Sequence, residues 1–531
     1  MPTIHRGLSW LVHAYEKVQV ELHGQYSADR QREFQAYYEN TSLFHVACVL
    51  LLTPLPCLVI VTLADVPTLQ EPTPLGFNAN YVYWVRGGVL TSMMAAFSLI
   101  LFKQYINVLE LRPYQVVVVS VLTSLGVSVT TYNISKVVGF PLPFIVLCSG
   151  PPFQLIIILS GVVLWGKVFI RNPVARKKLP NAIGIALSQT CLMFVYPTYN
   201  SMYVTLQGLA QGAFVLLFPL IKILMMNLFA RFCREMEDRR PEILVMNVEI
   251  FHALFSTYCM QGSTSPLTVA VIMGADALHV WLSLRDVNRQ ADRIARNNAE
   301  SKLGPQLTPK IKPTSPMLRI QLWLLGRKNT RVSDSTALQH QNSSPTAEII
   351  PSIGPPALKP GSVAPLQSQK TTRKGKASLR PALRAQKDRS QIEEKTRQLL
   401  HLAEFVILVE YVEMIVPLIY GIYVSICFHL PNRKFYPHLR SMNSEQLDAI
   451  VTNVLVYALL ELVSLLLLSG LLRRKLRISP VYQLAFVLEK QWWLVQLKLT
   501  FWILYVVMGT LEHSGADYTL KFQWLRRGNT T

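Results

Sequence analysis

The sequence predicts an all-α polytopic membrane helix bundle of about eleven spans, interrupted by a disordered cytoplasmic linker. Three observations carry that prediction. Only 16% of the residues are charged and 51% are hydrophobic, whereas an average soluble domain is about a quarter charged. Apolar runs recur at the ~20-residue length that a bilayer crossing needs. Basic residues also concentrate in alternate loops, the pattern of cytoplasmic loops between membrane helices. The number and spacing of the runs exclude a large soluble helical core. No phosphate-binding loop, dinucleotide fingerprint, zinc-protease helix or nucleophile elbow occurs, so soluble-type enzyme chemistry and a cofactor are not expected.

Residues 1–42 form a polar N-terminal segment in which Leu8, Leu11, Val18 and Leu22 suggest an amphipathic helix on the membrane face or on the bundle. An eight-span membrane domain over 43–286 comes next. Its first span, about Leu43–Ala64, contains Pro54 and Pro56, which free a backbone carbonyl for neighbouring helices to satisfy. The second is about Tyr81–Phe102, with Arg86 near enough to one end to snorkel. The third is about Pro113–Tyr132. The apolar run 137–170 is too long for one crossing and is punctuated by Pro141, Pro143 and Gly150-Pro151-Pro152. It reads as a short, re-entrant or buried segment and then a fourth span from Pro152 to Phe169. The fifth is about Ala182–Pro197. The sixth, about Gly208–Ala230, carries a G-x-x-x-G packing face at Gly208 and Gly212 and has Lys222 within snorkelling reach of its end.

Spans seven and eight, about Ile243–Met260 and Leu267–Leu284, form a hairpin around the turn 261–266. A polar helix over 287–303 leads into a basic linker, 304–395. The linker holds 16 Lys or Arg against 5 Asp or Glu, and it lacks the large apolar residues needed to fold alone. Its charge fits attraction to anionic lipid headgroups. Nucleic acid is not expected, because stacking aromatics are not interleaved with the basic residues. Within it, Met317–Leu325 with Arg319, Arg327 and Lys328 reads as an interfacial membrane contact. Beyond the linker lies a three-span domain over 396–511, with spans near Leu402–Phe428, Leu447–Leu472 and Trp493–Leu511. The C-terminal tail is 512–531. If the chain after 481, which opens with an amphipathic lead-in over 481–492, only lies on the membrane, the count becomes ten.

Loop charges orient the first eight spans. Thirteen basic residues (Arg30 and Arg32; Lys103 and Arg112; Lys167, Arg171, Arg176, Lys177 and Lys178; Arg231, Arg234, Arg239 and Arg240) fall on one side, against Lys136 on the other. This places the N-terminus and the linker in the cytoplasm. Arg433, Lys434 and Arg440 in 429–446 break the pattern for the last three spans. Asn529-Thr530-Thr531 is a glycosylation sequon that an external C-terminus would expose. The seven cysteines lie in or beside apolar runs without metal-ligand spacing and read as small buried hydrophobes. The first apolar patch is broken by His13, Glu16 and Lys17, so the first span is expected to be the insertion signal.

The hairpin is the expected site. Glu249 and His252 share a helix face, as do Asp276 and His279, because residues three apart are neighbours. The antiparallel runs let both pairs meet at similar depth. Secondary intramembrane charges are Glu410 and Glu413 in the ninth span, Glu461 in the tenth and Lys498 in the eleventh. Glu413, Glu461 and Lys498 fall roughly 15–20 Å from the cytoplasmic ends, so Lys498 is expected to pair with Glu461 or Glu413. Ionisable groups at such depth cost at least about 2.5–3.5 kcal/mol each and face a cavity or a partner.

Three readings of these groups stay open: a protonatable or ion-binding path, structural pairs holding helices in register, and a di-iron carboxylate site. The last is disfavoured, since the second motif begins with Asp and the extra carboxylates lie beyond the linker; no metal is expected. The wording Phe251…Leu254-Phe255…Cys259-Met260-Gln261-Gly262-Ser263, then Val271-Ile272-Met273…Asp276, resembles a family of multi-pass oomycete transmembrane proteins, most clearly over 182–286. The resemblance implies a multi-pass architecture and carries over no catalytic residue; His252 and His279 depart from the family pattern. The expected function is ion- or proton-coupled solute transport, with a non-catalytic scaffold binding lipid or partners through the linker as the alternative.

Overall fold

The structure, a computed structural model, describes residues 18–262 apart from 73–75, 207 and 216, scattered positions between 274 and 289, and residues 374–476 and 479–516. Among the described residues every regular element is helical. In chain order these are α1 (Ala28–Asn40), α2 (Leu43–Asp65), α3 (Tyr81–Tyr105), α4 (Pro113–Val138), α5 (Ile145–Arg171) and α6 (Pro173–Thr205). Then come α7 (Leu217–Phe232), α8 (Arg240–Leu244, Val245–Glu249 and Ile250–Gly262 end to end), α9 (Lys374–Phe428), α10 (Ser444–Leu476), α11 (Pro480–Lys490) and α12 (Trp492–Gly509).

Local chemistry sets the boundaries. Ser42 opens α2 by accepting from the His45 backbone N–H at 3.2 Å, an N-cap that satisfies an otherwise orphaned donor. Asn172 both ends α5 and starts α6. Its Oδ1 accepts from the Val174 and Ala175 backbone N–H groups at 2.9 and 3.2 Å, with Pro173 at the first helical position, where its missing N–H costs nothing. The expected proline interruption of the first span lies between Leu52 and Leu55. In 137–170 a one-turn helix, Ile145–Cys148, precedes the long helix Gly150–Arg171.

Eight helices are long and apolar enough to cross a membrane among the described residues, fewer than the eleven expected. The sixth expected span is present as Gly208–Val215 and the 16-residue α7. The seventh is α8, whose segments are separately short because a π-turn at Val245–Glu249 interrupts the α-helical ladder. Of the eighth only scattered positions are described, and Asp276 and His279 lie outside the described residues, as does 304–373 of the linker. The helix leading into the ninth span starts at Lys374, so 374–395 joins that span as helix instead of ending the linker.

The helices after the linker pack among those before it. In its most apolar window α9 is 83% buried, against 6% for α5, so α9 is the axis of the bundle. It packs on α8, α10, α11 and α2, while α3, α4 and α5 form an outer row. The N-terminal segment docks against this axis through buried Tyr26, Arg30 and Phe34. Gly24 lies against the His401 ring so closely that a Cβ would overlap it.

Candidate functional site

Three groups of buried polar side chains succeed one another along α9. At the N-terminal side, Arg30 reaches Glu242 of α8 at 2.5 Å and Glu404 of α9 at 2.7 Å. Tyr26 donates to Glu404, and Gln483 of α11 donates to the Tyr26 hydroxyl at 2.7 Å. Burial opposes the charge on Arg30, but the Glu242 and Glu404 carboxylates outweigh it and hold the guanidinium more firmly protonated than in water. Burial and Glu404 together push the Tyr26 phenol well above its ordinary range. The clamp ties α1 to α8 and α9.

At the other end, Arg86 lies 2.8 Å from Asp65. Asp65 also accepts from the Tyr436 hydroxyl at 2.9 Å and from the Cys427 thiol at 3.0 Å. The snorkelling expected of Arg86 does not occur. The side chain turns inward, because Asp65 at the end of α2 is buried beside it and offers a shorter route to neutralisation than the membrane surface.

The middle group gathers most of the candidate residues. Lys222 of α7 donates to Glu413 Oε1 at 3.0 Å and lies 2.9 Å from Glu249 Oε2. The carboxyl groups of Glu410, Glu413 and Glu461 come within 4.8 Å of one another, all buried. Ser464 of α10 donates to Glu410 Oε2 at 2.5 Å. Glu21 of the N-terminal turn adds a further buried carboxylate within electrostatic reach of Glu249. Glu249 ends the π-turn of α8, in which Asn247 donates to the Ile243 carbonyl at 2.6 Å and accepts from Gln189 of α6 at 3.1 Å. Turns of this kind recur at functional sites because they re-aim side chains within a helix.

Glu249 and His252 both meet α7, but with different partners. Glu249 meets Lys222, and the His252 ring stacks on Phe218 at 4.1 Å between centroids. His252 is therefore not among the clustered ligand atoms, and the Glu-x-x-His chemistry of a di-iron bundle is not assembled among the described residues. The expectation that Lys222 snorkels is corrected by its burial between two carboxylates. The expected pairing of Lys498 is also corrected. Among the described residues Lys498 lies over the Phe501 ring at 5.8 Å, because α12 packs on α2 and α8 while Glu461 and Glu413 sit at the α9–α10 seam. The signal that sequence reasoning missed is Lys222 itself, a lysine ten positions before Phe232 at the end of α7.

No family model, curated protein or solved structure matches this chain. Its several apolar helices fit an integral, multi-pass membrane protein.

Proposed function

We propose that the protein moves protons or small cations through the carboxylate cluster of α7, α8, α9 and α10, coupled to passage of a solute. The observation that carries this reading is the charge count around Lys222. Glu249, Glu410, Glu413 and Glu461 gather about one ammonium group. Fully ionised, the four carry three more negative charges than Lys222 offsets among the described residues, and like charges crowded in apolar surroundings disfavour ionising all of them. Such crowding favours uptake of protons or a small cation, and a group that exchanges ions in this way is what coupled transport requires. Glu404 and Cys427 lie about 35 Å apart along α9, close to the thickness of a bilayer core; Glu413 then lies near the middle. The alternation of loop charges supports a cytoplasmic N-terminus and linker, and the excess basic charge of 304–395 supports attachment to anionic lipid.

The test is flux through proteoliposomes of the full chain, under separately imposed proton, sodium and potassium gradients. Native protein should dissipate at least one gradient, and Glu413→Gln and Glu461→Gln should return that flux to the protein-free rate. If native protein is indistinguishable from empty liposomes in every gradient, the transport reading is wrong and the cluster is helix-to-helix adhesion in a scaffold.

A further inference from the structure

Among the helices runs a hollow whose walls, among the described residues, carry no charge. It measures about 330 Å³ and is bounded by α3, α4, α5, α6 and α12. On α3 its lining extends from Tyr83 to Ser98, about 22 Å of helix rise, so it is long and narrow. Met94, Phe153 and Leu504 make its sides apolar, and Thr91, Gln154 and Thr190 interrupt them with neutral hydrogen-bonding groups. None of its lining residues is Asp, Glu, Lys, Arg or His.

A smaller hollow of about 30 Å³ adjoins it, and the two share Val146, Leu147, Tyr505 and Ser514. Asn200 of α6 lines the smaller one. Asn200 is 1% exposed, and among the described residues neither its amide nitrogen nor its oxygen has a hydrogen-bond partner. Buried amides are ordinarily satisfied. One held open at the end of a long apolar space suits a head group that donates and accepts at once.

We infer that the joined hollows bind one uncharged lipophilic molecule with a hydroxyl head, the head at Asn200 and the apolar body along α3. A charged head group would meet no counter-ion in either wall, and a purely hydrocarbon molecule would leave the amide unsatisfied. The surroundings supply such a molecule. α5, which lines the hollow through Phe153 and Gln154, also carries the exposed apolar side chains Leu155, Ile158, Leu159 and Val162, the kind of surface that faces lipid and from which a bilayer-dissolved ligand would approach. Sterols and long-chain isoprenoid alcohols share this chemistry.

Gly87 gives a way to close the site. It lines the hollow, and a Cβ built on it meets nothing within 4 Å, so a larger side chain grows into free space. Gly470 of α10 is equally open and lies outside the lining. The experiment uses the full chain in nanodiscs with two probes, a photoactivatable sterol and a photoactivatable isoprenoid alcohol, and maps the labelled peptides. Saturable labelling within 83–98, 145–154 or 501–508 is expected from at least one probe, and the preferred probe identifies the source. Gly87→Phe should abolish the labelling, and Gly470→Phe should leave it intact. Asn200→Leu should weaken binding by about tenfold, the worth of an ordinary hydrogen bond, without affecting a matched hydrocarbon probe. The proposal is overturned by absent or non-saturable labelling, by labelling that survives Gly87→Phe, or by a fatty-acid anion competing as well as the alcohol at alkaline pH. Should Gly87→Phe fail to fold, Asn200→Leu decides the matter.

Discussion

At one end of the bundle Asp65 faces a single guanidinium, and its remaining lone pairs accept from Tyr436 and Cys427. In the middle, Lys222 faces Glu249 and Glu413, with Glu410 and Glu461 close behind. The first group has as many cations as anions and binds its partners tightly, so any change in its protonation costs stability. Among the described residues the second gathers four carboxylates about one ammonium, the crowding on which the proposed exchange of protons or cations rests. Both regions set carboxylates against a cation at similar burial. Charge balance, not burial, is what distinguishes the two regions, and the proposed site is the crowded one.

The largest effects should come from unbalancing the balanced group. Asp65→Asn leaves the buried Arg86 without its counter-charge, and Arg86→Leu leaves Asp65 without its own. Each should destabilise by about 3–5 kcal/mol. The double variant should cost clearly less than the two singles together, since neither charge is then stranded. Thermal unfolding in detergent measures this. Singles that unfold like the native protein would remove the contrast between the two regions.

His513 tests the same end through pH. It is fully buried, its Nε2–H shared between the Gln70 carbonyl at 2.7 Å and Asn80 Oδ1 at 3.0 Å. Burial, with nearby Arg86, lowers it to about 4, against the opposing hydrogen bond to Gln70. The unfolded chain, titrating near 6.5, takes up the proton first. The stability His513 lends is therefore whole above about 6.5 and is lost as pH falls toward 4. Between pH 7 and pH 5 the loss should be about 2 kcal/mol. His513→Gln should flatten that part of the stability profile, and an unchanged profile would show that His513 is not the group responsible.

Hydropathy made the helices legible. The expected first, ninth and tenth spans lie within a few residues of Leu43–Asp65, Phe428 as the end of α9, and Ser444–Leu476. The ionisable residues were legible too, because a Glu in an apolar run stands out. Their partners were not. Lys222 and Glu413 are separated by 191 positions, and Arg86 and Asp65 lie on different helices, and periodicity along one helix says nothing about which other helix it meets. Nearness in sequence suggested the hairpin; packing around α9 brings Glu249 of that hairpin together with Lys222 of α7, Glu413 of α9 and, behind them, Glu461 of α10, while Asp276 and His279 lie outside the described residues. Snorkelling was a sound default for Lys222 and Arg86, and it failed because each had a buried carboxylate within reach.

The smallest effect should come from relieving the unbalanced group. Glu461→Gln removes one of four clustered carboxylates and keeps the volume and most of the hydrogen-bonding capacity of the side chain. Lys222 still holds Glu249 and Glu413, at 2.9 and 3.0 Å, so no charge is stranded by the change. Relief of like-charge crowding and loss of the group's own contacts then oppose each other, and the net change in stability should stay below about 1 kcal/mol. The same detergent unfolding assay applied to Glu461→Gln and Asp65→Asn places the two regions on one scale. A cost for Glu461→Gln approaching that of Asp65→Asn would mean that the middle group is held together as tightly as the end group, and that charge excess alone does not mark a site in this bundle.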